Sequence, residues 1–247
     1  MSEEFYARMR RGEYFSALRI PDNVWTVVRL DGRGFTKYAL ANKLERPFDA
    51  EFHRRMLYVA VDLLRETRAP LVYTESDELS VLLPRGYSDF DRRVEKIVST
   101  LAARATMAWG DATFDARVWI GATDDEVVDY FSWRAADATR CCLNGYTYWL
   151  QRNAGVSASA ASRTLAKQDM RFKRALLLDY GVDFDALPGW QRNGTAATWA
   201  TVDHQGFNPI TKVTTNVLRR RPHVDDDLPY GSAFRAYVAD VVKGEAT

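Results

Sequence analysis

An α+β fold built on a mostly antiparallel sheet of the split β-α-β kind, with helices packed on one face, is what this 247-residue sequence predicts. Three observations lead there. A β-branched and aromatic run at 25–30 ends in Asp31 and a glycine-punctuated basic turn, as a buried strand does where it leaves a core. Two apolar runs at 69–73 and 79–83 enclose a compact polar tip, which is a hairpin signal. Apolar residues at helical spacing stand before and after that hairpin, giving the order strand, helix, hairpin, helix, strand, helix.

Composition narrows the class. Hydrophobic residues make up 47% of the chain, which suffices for a substantial core. Lys plus Arg (34) balances Asp plus Glu (33), so any polyanion has to be held by local clusters. Cys141 and Cys142 are adjacent, without disulfide or metal-ligand spacing, and point to a reducing compartment. The acidic N-terminus lacks the apolar core of a signal peptide, and no stretch is apolar enough to span a bilayer. The expectation is a cytoplasmic protein with no membrane partner.

The elements follow in order. Residues 5–14 form a short basic and aromatic helix or arm, and Pro21-Asp22-Asn23 turns into the first strand. Residues 37–46 read as loop or short helix. Pro47-Phe48-Asp49 opens a helix that Asp49 caps, with Phe52, Met56, Val59, Ala60, Leu63 and Leu64 on its inner face. The hairpin tip is Thr74-Glu75-Ser76-Asp77-Glu78. Ser88-Asp89 opens a second helix that buries Val94, Ile97, Val98 and Leu101 and carries Arg92, Arg93 and Lys96 on the other face. Residues 114–121 are a strand, and Thr123 with Glu126 is a capping box for a long aromatic-rich helix reaching about residue 150.

Residues 1–150 thus make the core, and 151–247 an additional C-terminal α/β segment packed on it as one compact domain. That segment reads as a helix at 162–180 stopped by Gly181, a turn at Pro188-Gly189-Trp190, and strands at 196–202 and 211–221. An acidic loop at 222–230 and a closing helix at 231–242 follow.

The chemistry concentrates at two acids. In a split β-α-β sheet Asp31 and Asp77 converge from neighbouring strand ends. With the Gly32 carbonyl they suit Mg²⁺, which takes few protein groups and keeps phosphate oxygens and water. Two such ions about 3.5–4 Å apart clamp the attacking and leaving oxygens of a phosphoryl displacement. Glu78 would support a metal or its water. The plain alternatives are an Asp-Gly strand-end turn and an exposed acidic hairpin tip. Arg92, Arg93 and Lys96 suit a triphosphate or form a solvated stripe. Ser76 suits a hydrogen bond to phosphate, and His53, His204 and His223 read as structural or surface residues.

Taken together, the ordered motifs resemble the tRNA-histidine guanylyltransferase superfamily, the 3′-to-5′ nucleotide-adding polymerases. The matching residues are Arg29-Leu30-Asp31-Gly32-Arg33-Gly34-Phe35, Arg46-Pro47-Phe48-Asp49, Ser76-Asp77-Glu78, then Arg93 and Lys96. Phe114-Asp115-Ala116-Arg117-Val118 and Ser132-Trp133-Arg134-Ala135-Ala136-Asp137 continue the series across most of the first 150 residues. The resemblance implies a palm-like sheet of the polymerase and cyclase kind, two Mg²⁺ ions and a homotetramer. It implies Asp31, Asp77 and Glu78 as catalytic residues, with metal on Asp31, Gly32 and Asp77. A nucleoside triphosphate, GTP or ATP, would lie against Gly32, Arg33, Gly34, Phe35, Arg46, Ser76, Arg93 and Lys96. Arg134, Arg140, Asn144 and Lys173 would contact tRNA, with Arg219, Arg220 and Arg221 as a further basic patch. The implied reaction activates a 5′-monophosphorylated tRNA with ATP or GTP, joins it to the 3′-hydroxyl of an incoming nucleotide, and releases pyrophosphate.

One stretch departs from the pattern. Where the eukaryotic histidine-tRNA enzymes carry a His followed by paired Asn, this chain has Thr139-Arg140-Cys141-Cys142-Leu143-Asn144-Gly145. The bacterial and archaeal guanylyltransferase-like branch, which resembles a repairer of 5′-truncated tRNA, is therefore the closer match. Nucleotidyl transfer to a non-tRNA acceptor, and a non-catalytic nucleotide- or RNA-binding module, are the readings set against it.

Overall fold

β1 (Trp25–Gly32) lies inside an antiparallel sheet, hydrogen-bonded to β4 (Phe114–Gly121) on one side and β3 (Glu78–Leu82) on the other. The computed structural model describes residues 2–207, 209, 210, 212 and 214–245. Among them the sheet order is β4-β1-β3-β2-β5-β6, with β2 at Leu71–Glu75, β5 at Thr195–Phe207 and β6 at Thr214–Asp225. The C-terminal strands therefore extend the same sheet, since Val72 to Thr74 register against Ala197 to Thr195. Thr211 and Val213, read as the start of the last strand, lie outside the described residues.

Strand parity divides the core. Val28, Leu30, Val72, Leu79 and Val81 pack with Met56, Val59 and Leu63 of α3 (Ala50–Thr67) and with Ile97 and Leu101 of α4 (Val94–Trp109). Trp25, Val27, Leu71, Tyr73 and Leu82 point the other way. They meet Val127 and Phe131 of α5 (Asp124–Asn153) and Phe234 and Val238 of α9 (Gly231–Glu245). The antiparallel sheet with packed helices is as the sequence predicts. The helices line both faces, however, where one was expected, because the aromatic alternate positions of β1 and β2 also need cover.

Local chemistry sets the helix bounds. Asp49 accepts from the Phe52 amide at 2.8 Å and starts α3, and Thr123 and Glu126 form the capping box of α5. The second helix starts later than Ser88. Asp89–Arg92 is a 3-10 turn with left-handed backbone at Phe90, Asp91 and Arg92, so α4 begins only at Val94. The helix read at 162–180 is two. α6 (Ala158–Leu165) and α7 (Met170–Asp179) are separated by Lys167 at φ 59° and by Asp169, which caps Phe172. Pro188-Gly189-Trp190 leads into a short helix, α8 (Gly189–Asn193), rather than a plain turn. α1 (Glu3–Arg10) and α2 (Phe35–Ala41) complete the helices used below. No helix among the described residues is long and apolar enough to cross a membrane.

Candidate active site

The two acids singled out in the sequence meet at one end of the sheet. Asp31 lies within β1 rather than beyond it, opposite Glu78 of β3 and Asp115 of β4. Glu75 in turn stands opposite Glu78, so four neighbouring strands carry a row of carboxylates at the same level. The β2–β3 turn is tight. Ser76 takes φ 49°, its hydroxyl donates to the Asp77 carboxylate at 3.1 Å, and the Asp77 carbonyl accepts from the Gly32 amide at 3.0 Å. That last bond ties the hairpin tip to the end of β1 and brings Asp77 beside Asp31.

Their electrostatics differ from those of the neighbouring glutamates. Burial raises the Asp77 carboxyl above the usual carboxylate range, and the charge of Asp31 pushes it further. Neither acid has a cationic partner among the described residues. Glu78 and Glu75, in contrast, are held by Arg134 of α5, at 2.6 and 2.9 Å to Glu78 and 2.7 Å to Glu75. Arg134 also reaches Asp137 at 3.1 Å. Burial pushes Glu75 up to about 8 despite that contact.

Two adjacent carboxylates with no counter-charge fit a divalent cation. Among the described residues no group of three or more His, Cys, Asp or Glu is arranged to hold a metal. Two carboxylates and a backbone carbonyl are a donor set that would suit a hard ion keeping phosphate oxygens and water, as Mg²⁺ does. Asp31, Asp77 and the Gly32 carbonyl would hold it.

A cleft opens beside Asp77, between α2, α3 and the β2–β3 turn. Phe35, Arg46 and Ser76 of the expected nucleotide set line it with Asp77, together with Phe48, Phe52, His53 and Trp190. Aromatic and polar side chains line it together, which suits a base with its phosphates directed to the acids. Gly32, Arg33 and Gly34 connect β1 to this wall. Gly34 sits at φ 73° as the N-cap of α2, a left-handed position that glycine adopts without strain.

Arg93 and Lys96 are not brought to this cleft. Arg93 is the N-cap of the 16-residue α4, whose other end, Trp109, packs on Phe35. At 1.5 Å per residue Arg93 lies about 24 Å, and Lys96 about 20 Å, along the helix from Trp109. Arg92 is turned aside, bonding Pro21 and Asp22.

The residues expected to touch RNA also divide. Arg134 is 4% exposed and spent on carboxylates, so it positions the acids instead of facing solvent. Arg140 is exposed and bonds Asp137 at 2.7 Å. Asn144 and Lys173 share a groove with Tyr148, Ser162 and Leu165. Arg219, Arg220 and Arg221 lie exposed on β6. Burial pushes the Cys141 and Cys142 thiols up to about 11 and about 12, so both are neutral.

The sequence reads His53 as a structural or surface residue, and the structure gives it a place in the cleft wall. Its ring stacks on Trp190 at 4.2 Å and its Nε2 meets Asp226 at 3.1 Å, linking the cleft wall to the loop after β6. Sequence reasoning passed over the partners of Arg134. Strand alternation from Tyr73 to Glu75 was the available signal for one of them.

Comparisons with known proteins place nearly the whole chain in one family. The family model described as tRNAHis guanylyltransferase matches residues 6–121, and the one described as Thg1 C terminal domain matches residues 125–226. A probable tRNA(His) guanylyltransferase of Dictyostelium discoideum is 30% identical over 209 residues, covering 74% of this chain and 80% of the relative. A bacterial tRNA(His) guanylyltransferase (Thg1)-like protein in complex with GTP superposes with a TM-score of 0.69 at 25% identity, over 97% of this chain and 99% of that one. A bacterial protein of the same description in complex with ATP shares the fold, with a TM-score of 0.72 at 24% identity over 96% and 98% of the two chains. The acids, the cleft and these matches across nearly the whole length lead to one conclusion: the chain belongs to the tRNA(His) guanylyltransferase family.

Proposed function

We propose that the protein is a Mg²⁺-dependent nucleotidyltransferase that adds a nucleotide to the 5′ end of tRNA, extending the strand in the 3′-to-5′ direction. The observation that carries this is the Asp31–Asp77 pair without a cationic partner, with Asp77 on the wall of an aromatic cleft. Bound there, Mg²⁺ supplies Lewis-acid stabilisation of the charge that builds on phosphoryl oxygens. The protein's own residues do the positioning. Phe35, Phe48 and Phe52 enclose the base, and Arg46 and Ser76 stand at the phosphate end. Arg134 fixes Glu78, and through it the hairpin that carries Asp77.

The chemistry balances in two displacements. An oxygen of the RNA 5′-monophosphate attacks the α-phosphorus of ATP or GTP and expels pyrophosphate. The 3′-hydroxyl oxygen of the incoming nucleotide then attacks the activated 5′-phosphorus, loses its proton and expels the nucleoside monophosphate. Water exclusion by the aromatic wall strengthens each electrostatic contact.

The same reading carries a homotetramer, implied by the resemblance, and a cytoplasmic location, expected from the cysteines and the N-terminus; sedimentation and cell fractionation check them. The test of function is extension of 5′-monophosphorylated tRNA lacking its first nucleotide, with ATP, Mg²⁺ and labelled GTP. The expected product is one nucleotide longer and absent with Asp31→Ala or Asp77→Ala. No extension by the unmodified protein, or full extension by both variants, rejects the proposal.

A second reading, transfer to a non-tRNA acceptor, draws on Thr139, whose hydroxyl donates to the Arg192 carbonyl at 3.0 Å, and on buried Cys142. Both serve helix packing in the stretch that departs from the family pattern. Competition between tRNA and small phosphorylated acceptors for the labelled nucleotide separates the two readings.

A further inference from the structure

Trp133 stands on α5 with 53% of its surface exposed, an unusual cost for the largest apolar side chain. Its ring is nonetheless held firmly. The Arg29 guanidinium lies 5.5 Å from the ring centroid, that of Arg134 lies 4.6 Å away, and the Tyr130 ring meets it edge-on at 5.8 Å. Such cation and edge contacts fix an aromatic surface without covering it.

The surroundings say what the surface is for. Arg29 stands directly opposite Arg117 in the β1–β4 register, so both project on the same face of the sheet. Arg117 is exposed and has Asp115 at 3.3 Å, a weak surface pair that leaves its donors open to phosphate. Arg29 leans on Glu78 at 3.8 Å. Arg29 and Asp31 share a strand face two residues apart, about 7 Å by strand geometry. Trp133 therefore lies close to the catalytic acids, on the α5 side of the sheet. The triphosphate cleft approaches the same acids from the α2 and α3 side.

From this arrangement we infer that Trp133 is the stacking platform for the base at the 5′ end of the RNA acceptor, with Arg117 and Arg29 holding the phosphate beside it. The inference rests on RNA being the acceptor. Every base presents a π-face, so one rigid indole accepts any 5′ nucleotide, and two flanking guanidiniums favour an anionic occupant over an apolar one. The two reactants then meet at Asp31 and Asp77 from opposite sides of the sheet end.

The test uses tRNA with 2-aminopurine as its 5′-terminal base, titrated into the full chain without triphosphate. The unmodified protein quenches the probe on binding. Trp133→Leu loses that quenching and binds about 10-fold more weakly, whereas Trp133→Tyr retains both. Arg117→Gln weakens binding and lowers the slope of log affinity against log salt by about 0.7. Melting curves of the variants confirm folding, and Trp133→Tyr supplies the folded control if Trp133→Leu unfolds: loss of quenching in that variant as well overturns the inference. Quenching and affinity unchanged in Trp133→Leu overturn it while leaving the proposed function intact. Failure of the unmodified protein to bind or extend the RNA overturns both.

Discussion

Arg134 on α5 donates from Nε and Nη2 to the two carboxylate oxygens of Glu78, at 2.6 and 2.9 Å, and so locks the β2–β3 hairpin to the helix behind it. Glu75 shares the same guanidinium, so two largely buried carboxylates depend chiefly on one cation, with Arg29 3.8 Å from Glu78 as the weaker second. Arg134→Gln removes that cation. The expected cost is about 3–5 kcal/mol, the usual consequence of leaving buried charge unpaired. Arg134→Lys keeps the charge but loses the planar fork, and falls between the two. Urea unfolding of the three proteins checks the order.

Asp31 and Asp77 predict the opposite sign. Burial and the neighbouring charge of Asp31 disfavour ionised Asp77, so Asp77→Asn relieves repulsion in the metal-free protein. Without Mg²⁺ its melting temperature matches or exceeds that of the parent. With Mg²⁺ and GTP the parent gains the stability that ligand binding confers, and the variant does not. Thermal melts with and without the ion read both arms. A variant stabilised by Mg²⁺ and GTP as much as the parent would remove Asp77 from the metal site.

Much of this arrangement is legible in the chain, and the misses share a physical origin. The strand at 114–121 and the capping box of α5 follow from local pattern, and the structure returns both. The meeting of Asp31 with Asp77 follows from strand order alone. Arg134 was read as an RNA contact because a sequence displays a charge without its partner, here 56 positions upstream. The start of α4 was misplaced because Ser88-Asp89 carries cap chemistry that the left-handed turn at Phe90 to Arg92 overrides. That delay also strands Arg93 and Lys96 at the far end of the helix. The break between α6 and α7 has neither Gly nor Pro to announce it, only a cap at Asp169 and Lys167 in the left-handed region.

His53 makes a pH prediction. Burial lowers its pKa below 6.5, with the Asp226 carboxylate opposing the shift only in part. Below pH 6.5 the unfolded chain takes up a proton that the folded chain declines. Stability therefore falls as pH drops through 6.5 toward the lower folded value, and is unaffected by this group above it. His53→Phe preserves a ring to stack on Trp190 but cannot titrate. Between pH 7 and pH 5 its unfolding free energy falls less steeply than the parent's. Equal slopes for the two proteins would show that His53 is not the group responsible.

Gly32 links the Asp31 end of β1 to the aromatic cleft through Phe35. A Cβ at Gly32 would run into the Phe35 ring. That ring is the hub of an aromatic cluster, with Tyr38, Phe52, Trp109 and Phe114 all centred within 5.6 Å. Packed on four sides, it has no room to retreat except into the cleft it lines. Gly32→Ala therefore costs about 1–3 kcal/mol by overpacking. It also narrows the base pocket, so KM for GTP rises while the Asp31 and Asp77 carboxylates remain. Phe35→Leu in the same background restores space, and recovers stability lost to Gly32→Ala if the clash is its cause. Thermal melts of the two single variants and the double variant measure that coupling directly.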